Sequence, residues 1–119
     1  YVHVLQPNQY LPDSKPFSDE EREAFIRPES TYGAVAADGY AALFDAAPRI
    51  LEAGVDYHDL TRLFAEDGRT LYEDDCCHFN ETGRRLLAAR VAELAAARLA
   101  PTLAPAEGEP AAQPPAAQP

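Results

Sequence analysis

The sequence predicts an α/β fold with parallel strands, and three observations predict it. Two short runs with strand character, Tyr1–Leu5 and Val55–Leu60, lie far apart in the chain. Two stretches with helix-start and helix-stop signals separate them, and a third follows the second run. The order strand, helix, helix, strand, helix is that of a right-handed crossover unit, because parallel neighbours need a long connection and a sheet so built is covered on its faces. Two strands do not complete such a sheet.

The first run, YVHVL, carries two Val and ends at Gln6-Pro7, where the proline removes a ladder donor and biases its predecessor to extended geometry. A buried strand followed by a loop is expected. The loop QPNQYLPDSKPF holds three prolines, and Ser18 then stands three residues before Glu21. At that spacing a Ser hydroxyl and a Glu carboxylate satisfy helix N-terminal amides reciprocally, so a short helix starts at Ser18 and ends before Pro28. The cluster Asp19, Glu20, Glu21 and Glu23 reads as a solvated helix start. From about Ser30, Val35, Tyr40, Leu43, Phe44, Ala47, Ile50 and Leu51 fall near helical spacing. Pro48 is expected to kink or divide this helix and Gly54 to end it.

The alternation of Val55, Tyr57 and Asp59 with Asp56, His58 and Leu60 marks the second strand, and Thr61–Phe64 a single turn after it. In the last element Asn80 serves as N-cap and Glu81 meets the helix dipole. Leu87, Val91 and Leu94 recur at i, i+4 and i+7, with Arg84, Arg85, Glu93 and Arg98 largely opposite. A helix from about Glu81 to Leu99 follows. Residues 101–119 hold six of the eleven prolines and cannot bury enough apolar surface to offset their ordering, so the domain spans residues 1–100 and the tail is expected to be disordered.

Ten basic against twenty acidic side chains leave a formal charge of −10. Nothing here neutralises a row of phosphates, and nine scattered Arg with a single Lys, Lys15, form no basic stripe. This argues against nucleic acid as a partner and makes anionic membranes poor candidates, and no apolar run reaches the length of a transmembrane span. No Gly-rich phosphate loop is present. The adjacent Cys76 and Cys77 do not reproduce the spacing of a structural zinc site, which leaves metal binding by Asp75, Cys76, Cys77 and His78 a poor rival and no cofactor expected.

Chemistry concentrates before the last helix. Asp75-Cys76-Cys77-His78 puts a carboxylate three residues from an imidazole, a spacing that in a turn brings the carboxylate onto one ring nitrogen and exposes the other as a general base. Taken alone the spacing is a weak signal, and the plainer reading is an exposed His beside an acidic turn. Cys77 beside His78 is a weaker nucleophile candidate, since neighbours on an extended chain point apart. Because Cys76 and Cys77 are adjacent, a bridge between them is not expected without strain, and each is expected to serve structurally or to pair elsewhere. His3, and His58 with Asp59, read as strand residues.

Taken in order, VHVLQPNQY, SKPFSDEE, GVDYHDLTRLF and LYEDDCCHFNETGRRLLAARVAEL resemble the C-terminal part of the SGNH (GDSL-type) hydrolase superfamily. The resemblance is to a bacterial branch in particular, and it covers about residues 1–98. It implies a three-layer α/β/α flavodoxin-like sandwich of which only about two strands are present. It also implies a serine esterase whose Asp and His share one Asp-x-x-His motif. On that correspondence Asp75 orients the histidine, and His78 takes the proton from the nucleophilic Ser and returns it to the leaving group. Asn80 and Gly83 match the family's helix start, with capping and close packing expected there. Gln6, Pro7 and Asn8 would line the substrate rim at the strands' C-terminal ends. The implied substrate is an ester, an acyl or acetyl group on a lipid or carbohydrate.

The departures are equally specific. The family's Gly-Asp-Ser and Gly-x-Asn motifs are absent, since the only serines are Ser14, Ser18 and Ser30 and none stands in such a setting. The expectation is a C-terminal fragment whose partner is the missing N-terminal part of the same domain. Such a fragment is expected to be inactive alone, to fold marginally and to expose Tyr1–Leu5 as a hydrophobic edge. A non-catalytic α/β interaction module is the alternative from another class.

Overall fold

The computed structural model describes residues 1–103, so most of the expected disordered tail lies outside the described residues. The chain runs β1 (Val2–Leu5), α1 (Asp19–Ala24), α2 (Thr31–Glu52), β2 (Asp56–Asp59) and α3 (Glu81–Leu103). The fold is mixed α/β, with β1 and β2 paired in parallel and Val2 opposite Asp56 through Leu5 opposite Asp59. Helix α2 rests on β2 and α3 on β1. No helix among the described residues is long and apolar enough to cross a membrane.

Local chemistry explains most boundaries. The Ser18 hydroxyl accepts from the Glu21 amide at 3.1 Å, and the Ser18 amide donates to Glu21 Oε2 at 3.0 Å, closing the expected capping box. Ser30 caps α2 by accepting from the Gly33 amide at 3.1 Å. Gly54, at φ +77°, ends α2, with its own amide on the Leu51 carbonyl and the Val55 amide on that of Ile50. Helix α2 is not divided at Pro48. The proline has no N–H for the Phe44 carbonyl, and both residues lie on the exposed side of the helix. Helix α3 runs beyond the expected Leu99 to Leu103.

Two expectations about burial are corrected. Only Leu5 of β1 is buried, so the strand is not the buried one its composition suggests. Glu21 is not solvated: its side chain has no exposure, and Oε2 lies 2.5 Å from Lys15 Nζ, which is equally enclosed. Lys15 also donates to the carbonyls of Pro16 and Arg69, and Glu21 Oε1 accepts the amides of Leu71 and Tyr72 at 2.8 and 3.2 Å. Burial alone pushes the Glu21 carboxyl up, but Lys15 and the amides of Leu71, Ser18 and Tyr72 outweigh it and hold it below its ordinary range.

The core is small and aromatic: Phe64, Leu71, Tyr72 and Phe79, with Phe17, Phe25, Leu63, Leu86 and Leu87 packed against it. Phe64 meets Phe79 edge-on at 5.4 Å between centroids, a geometry worth about 0.5–1.5 kcal/mol beyond area burial. Tyr72 and Phe79 form an antiparallel bridge, flanked by Glu73 N–H to the His78 carbonyl and Asn80 N–H to the Leu71 carbonyl. The core thus grips both ends of the segment 73–78.

Candidate functional site

That segment is built around Asp74. Its Oδ1 accepts three consecutive amides, those of Cys76, Cys77 and His78, at 3.0, 3.0 and 3.1 Å. Its Oδ2 accepts from Nδ1 of His78. The carboxylate on the imidazole is therefore Asp74, one residue earlier than the Asp75 that the sequence reading assigned to orienting His78. The reason is local: three amides converging on one oxygen curl the backbone into a turn, and a side chain four residues back from His78 reaches the ring. Asp75 is half-buried, and its backbone carbonyl accepts the Tyr10 hydroxyl.

The electrostatics follow from this geometry. Partial burial pushes the Asp74 carboxyl up, but His78 and the amides of Cys77, His78 and Cys76 pull it down to about 2. The hydrogen bond to Asp74, then its charge, raise His78 above its ordinary value, with Glu73 adding to the effect. The His78 side chain is 69% exposed, so this is a solvent-facing pair. Its ring borders a shallow cleft of about 350 Å³ with Gln6, Glu73, Cys77, Phe79 and Arg84. Arg84 is committed, with Nη1 on both Glu73 carboxylate oxygens and on the Phe79 carbonyl.

Cys76 and Cys77 are joined to each other as a disulfide, against the expectation of separate partners. That expectation rested on the adjacency of the two residues, whose amides here both gather on Asp74 within one turn. The bridge forms one wall of a second, apolar cleft of about 230 Å³ with Asn8 and the Tyr32, Val35, Tyr40 and Leu43 face of α2.

Of the expected rim residues, Gln6 borders the His78 cleft and Asn8 the apolar one, while Pro7 is buried. Asn8 also turns the loop, its Oδ1 accepting the Tyr10 amide at 2.9 Å. Asn80 caps α3 through the Gly83 amide and donates to the Thr70 carbonyl at 2.7 Å. A Cβ on Gly83 would stand 2.7 Å from the Leu71 carbonyl oxygen, so α3 can approach the core only at a glycine. None of the three serines bonds His78: Ser18 and Ser30 cap helices, and Ser14 is buried.

Sequence reasoning missed Asp74, Gln9 and Tyr10. The doubled Asp74-Asp75 signals Asp74 only if an Asx-type turn is considered beside the Asp-x-x-His spacing. Nothing local in the sequence points Gln9 or Tyr10 at a segment 65 residues away. No family model matches the chain, and no curated protein or solved structure matches it.

Proposed function

We propose that this chain is the C-terminal part of an SGNH (GDSL-type) hydrolase, with the flavodoxin-like sandwich of that family, and supplies the base of a serine esterase. The observation that carries the reading is His78, its Nδ1 engaged by a carboxylate and its ring on the border of an open cleft. With Nδ1–H donating, Nε2 holds a free lone pair, which is what a general base needs. In the reaction a Ser hydroxyl outside residues 1–119 attacks the ester carbonyl carbon and passes its proton to Nε2. The tetrahedral intermediate collapses, the C–O bond to the alcohol breaks, and Nε2 returns the proton to the departing oxygen. Water then repeats both steps on the acyl-enzyme. Asp74 holds the ring and balances its charge while it is protonated. The oxyanion donors also come from outside residues 1–119.

The test is made on the whole native protein, with a fluorophosphonate probe and an activated acetyl ester. Wild type labels and hydrolyses, and His78→Ala loses hydrolysis while keeping its far-ultraviolet dichroism, because the ring is exposed. Unchanged turnover in His78→Ala removes the residue from the mechanism. A second reading, a non-catalytic interaction module, draws on α2, which has no buried residue and exposes Tyr32, Val35 and Leu51. A native protein that takes no fluorophosphonate favours it.

A further inference from the structure

Gln9 is 2% exposed, and both of its amide protons are used: Nε2 donates to the Phe25 carbonyl at 3.1 Å and to the Asp74 carbonyl at 2.8 Å. The next side chain does the same one peptide further on. The Tyr10 hydroxyl donates to the Asp75 carbonyl and accepts from the Arg27 amide at 3.3 Å. Two successive carbonyls at the start of the turn are thus held from the β1 side, while the next three amides are held by Asp74 itself. The first of these peptide planes joins the Asp74 Cα on its C-terminal side, and the second carries the Cys76 amide that Asp74 Oδ1 accepts. Together they fix where the first of the three amides stands relative to the Asp74 carboxylate, and so whether that carboxylate can serve the amides and the ring together.

We infer that Gln9 and Tyr10 are positioning residues for His78, acting through the backbone carbonyls of Asp74 and Asp75. The inference deepens the esterase reading and rests on it for its relevance to catalysis. Its geometric content does not depend on that reading. Neither side chain touches the ring. The charged groups nearest the ring are Asp74, Glu73 and Arg84, and neither substitution proposed below alters them. Without the two donors, the Asp74 and Asp75 carbonyls turn toward water, the peptide planes rotate, and the carboxylate leaves the imidazole. Tyr10→Phe keeps the ring packing and removes one donor. Gln9→Met keeps the volume and removes the other.

The test uses the whole 119-residue chain and two readouts by nuclear magnetic resonance: the titration of His78, and hydrogen exchange at residues 76–78 compared with α3. Each variant is expected to lower the His78 pKa measurably toward its ordinary value, because Asp74 is what raises it. Each is also expected to speed exchange of the Cys76, Cys77 and His78 amides about tenfold, with Leu87 and Val91 unchanged. An unchanged His78 titration in both variants overturns the inference. So does equal loss of protection in α3, which would make the two residues general core supports. If Gln9→Met does not fold, Tyr10→Phe carries the test. The two readings fail separately. A native protein without ester hydrolysis, whose His78 titration still shifts in Tyr10→Phe, loses the enzyme and keeps the positioning. A hydrolase whose His78 titration ignores both substitutions loses the positioning alone.

Discussion

Replacing Glu21 by Gln changes one atom in a side chain that has no exposure, and the cost can be worked bond by bond. Oε1 keeps its place under the amides of Leu71 and Tyr72. The other oxygen becomes an NH₂ group facing the Ser18 amide at 3.0 Å and the Lys15 ammonium at 2.5 Å, donors turned on donors. The Ser18 amide loses its acceptor, and Lys15 is left charged without a carboxylate partner, with the carbonyls of Pro16 and Arg69 and the Phe17 ring 5.2 Å away around it. Breaking a buried pair in this way costs about 3–5 kcal/mol. A domain of this size holds about 5–15 kcal/mol in all. The assay is urea unfolding of the whole chain followed by circular dichroism at about 10–20 °C, near the usual stability maximum. The control is Glu20→Gln, whose carboxylate lies on the surface against the Thr70 hydroxyl and should matter by under about 0.5 kcal/mol. Glu21→Gln is expected to lower the urea midpoint severely or to abolish the transition. If the two variants unfold within about 0.5 kcal/mol of each other, the solvated-helix reading of Glu21 is right and the buried-pair reasoning is wrong.

The Asp74–His78 pair should stabilise the turn in a defined pH window. Asp74 is more acidic in the folded chain, so its contribution is present above its ordinary 3.8 and is lost as pH falls toward about 2. His78 is more basic when folded, so its contribution is present below 6.5 and is lost as pH rises through the raised value. Titration of the His78 ring should therefore show its pKa falling in Asp74→Asn and hardly moving in Asp75→Asn, and the reverse pattern would return the orienting role to Asp75. Gly83→Ala should destabilise by more than about 1 kcal/mol, because its Cβ meets backbone at 2.7 Å. Gly39→Ala, mid-helix with open space around it, should stabilise by about 0.4–1 kcal/mol, and urea midpoints check both. Residues 1–119 alone should hydrolyse no ester and show no cooperative thermal transition above about 45 °C, and calorimetry showing one would contradict the expected marginal folding.

What was legible in the sequence is what the chain decides within four or five residues. Ser18 with Glu21, Ser30, Asn80 and Gly54 mark helix ends because a cap is a contract between near neighbours, and the two strands are legible through their composition. The reading failed where groups outside a capping motif decide, or where two local turns compete for the same residues. The spacing of Glu21 gives its capping role but not the buried Lys15 that faces it from the end of the proline-rich loop, six residues back. Pro48 breaks helices on average, and here it stands on an exposed stretch of a helix that continues through it. Asp75 satisfies the spacing to His78, yet Asp74 wins because one oxygen can collect three amides. That choice depends on how the Tyr72–Phe79 bridge closes the turn, and so do the side-by-side positions of Cys76 and Cys77.

Holding the Asp74 turn from Gln9 and Tyr10 also gives the chain an order of assembly. The helix caps and the Gly54 stop close over a handful of residues and can form as soon as those residues exist. The contacts of Gln9 and Tyr10 with the turn close a loop of 65 residues, and such a closure costs about 4 kcal/mol of chain entropy before it returns anything. They belong among the late events, after the aromatic cluster has brought the two ends of the domain together. His78 is thus set in place only when the beginning and the end of the folded chain have already met. A half-folded chain, or one cut short of Gln9 and Tyr10, would keep Asp74 and His78 and lack the contacts that set their turn.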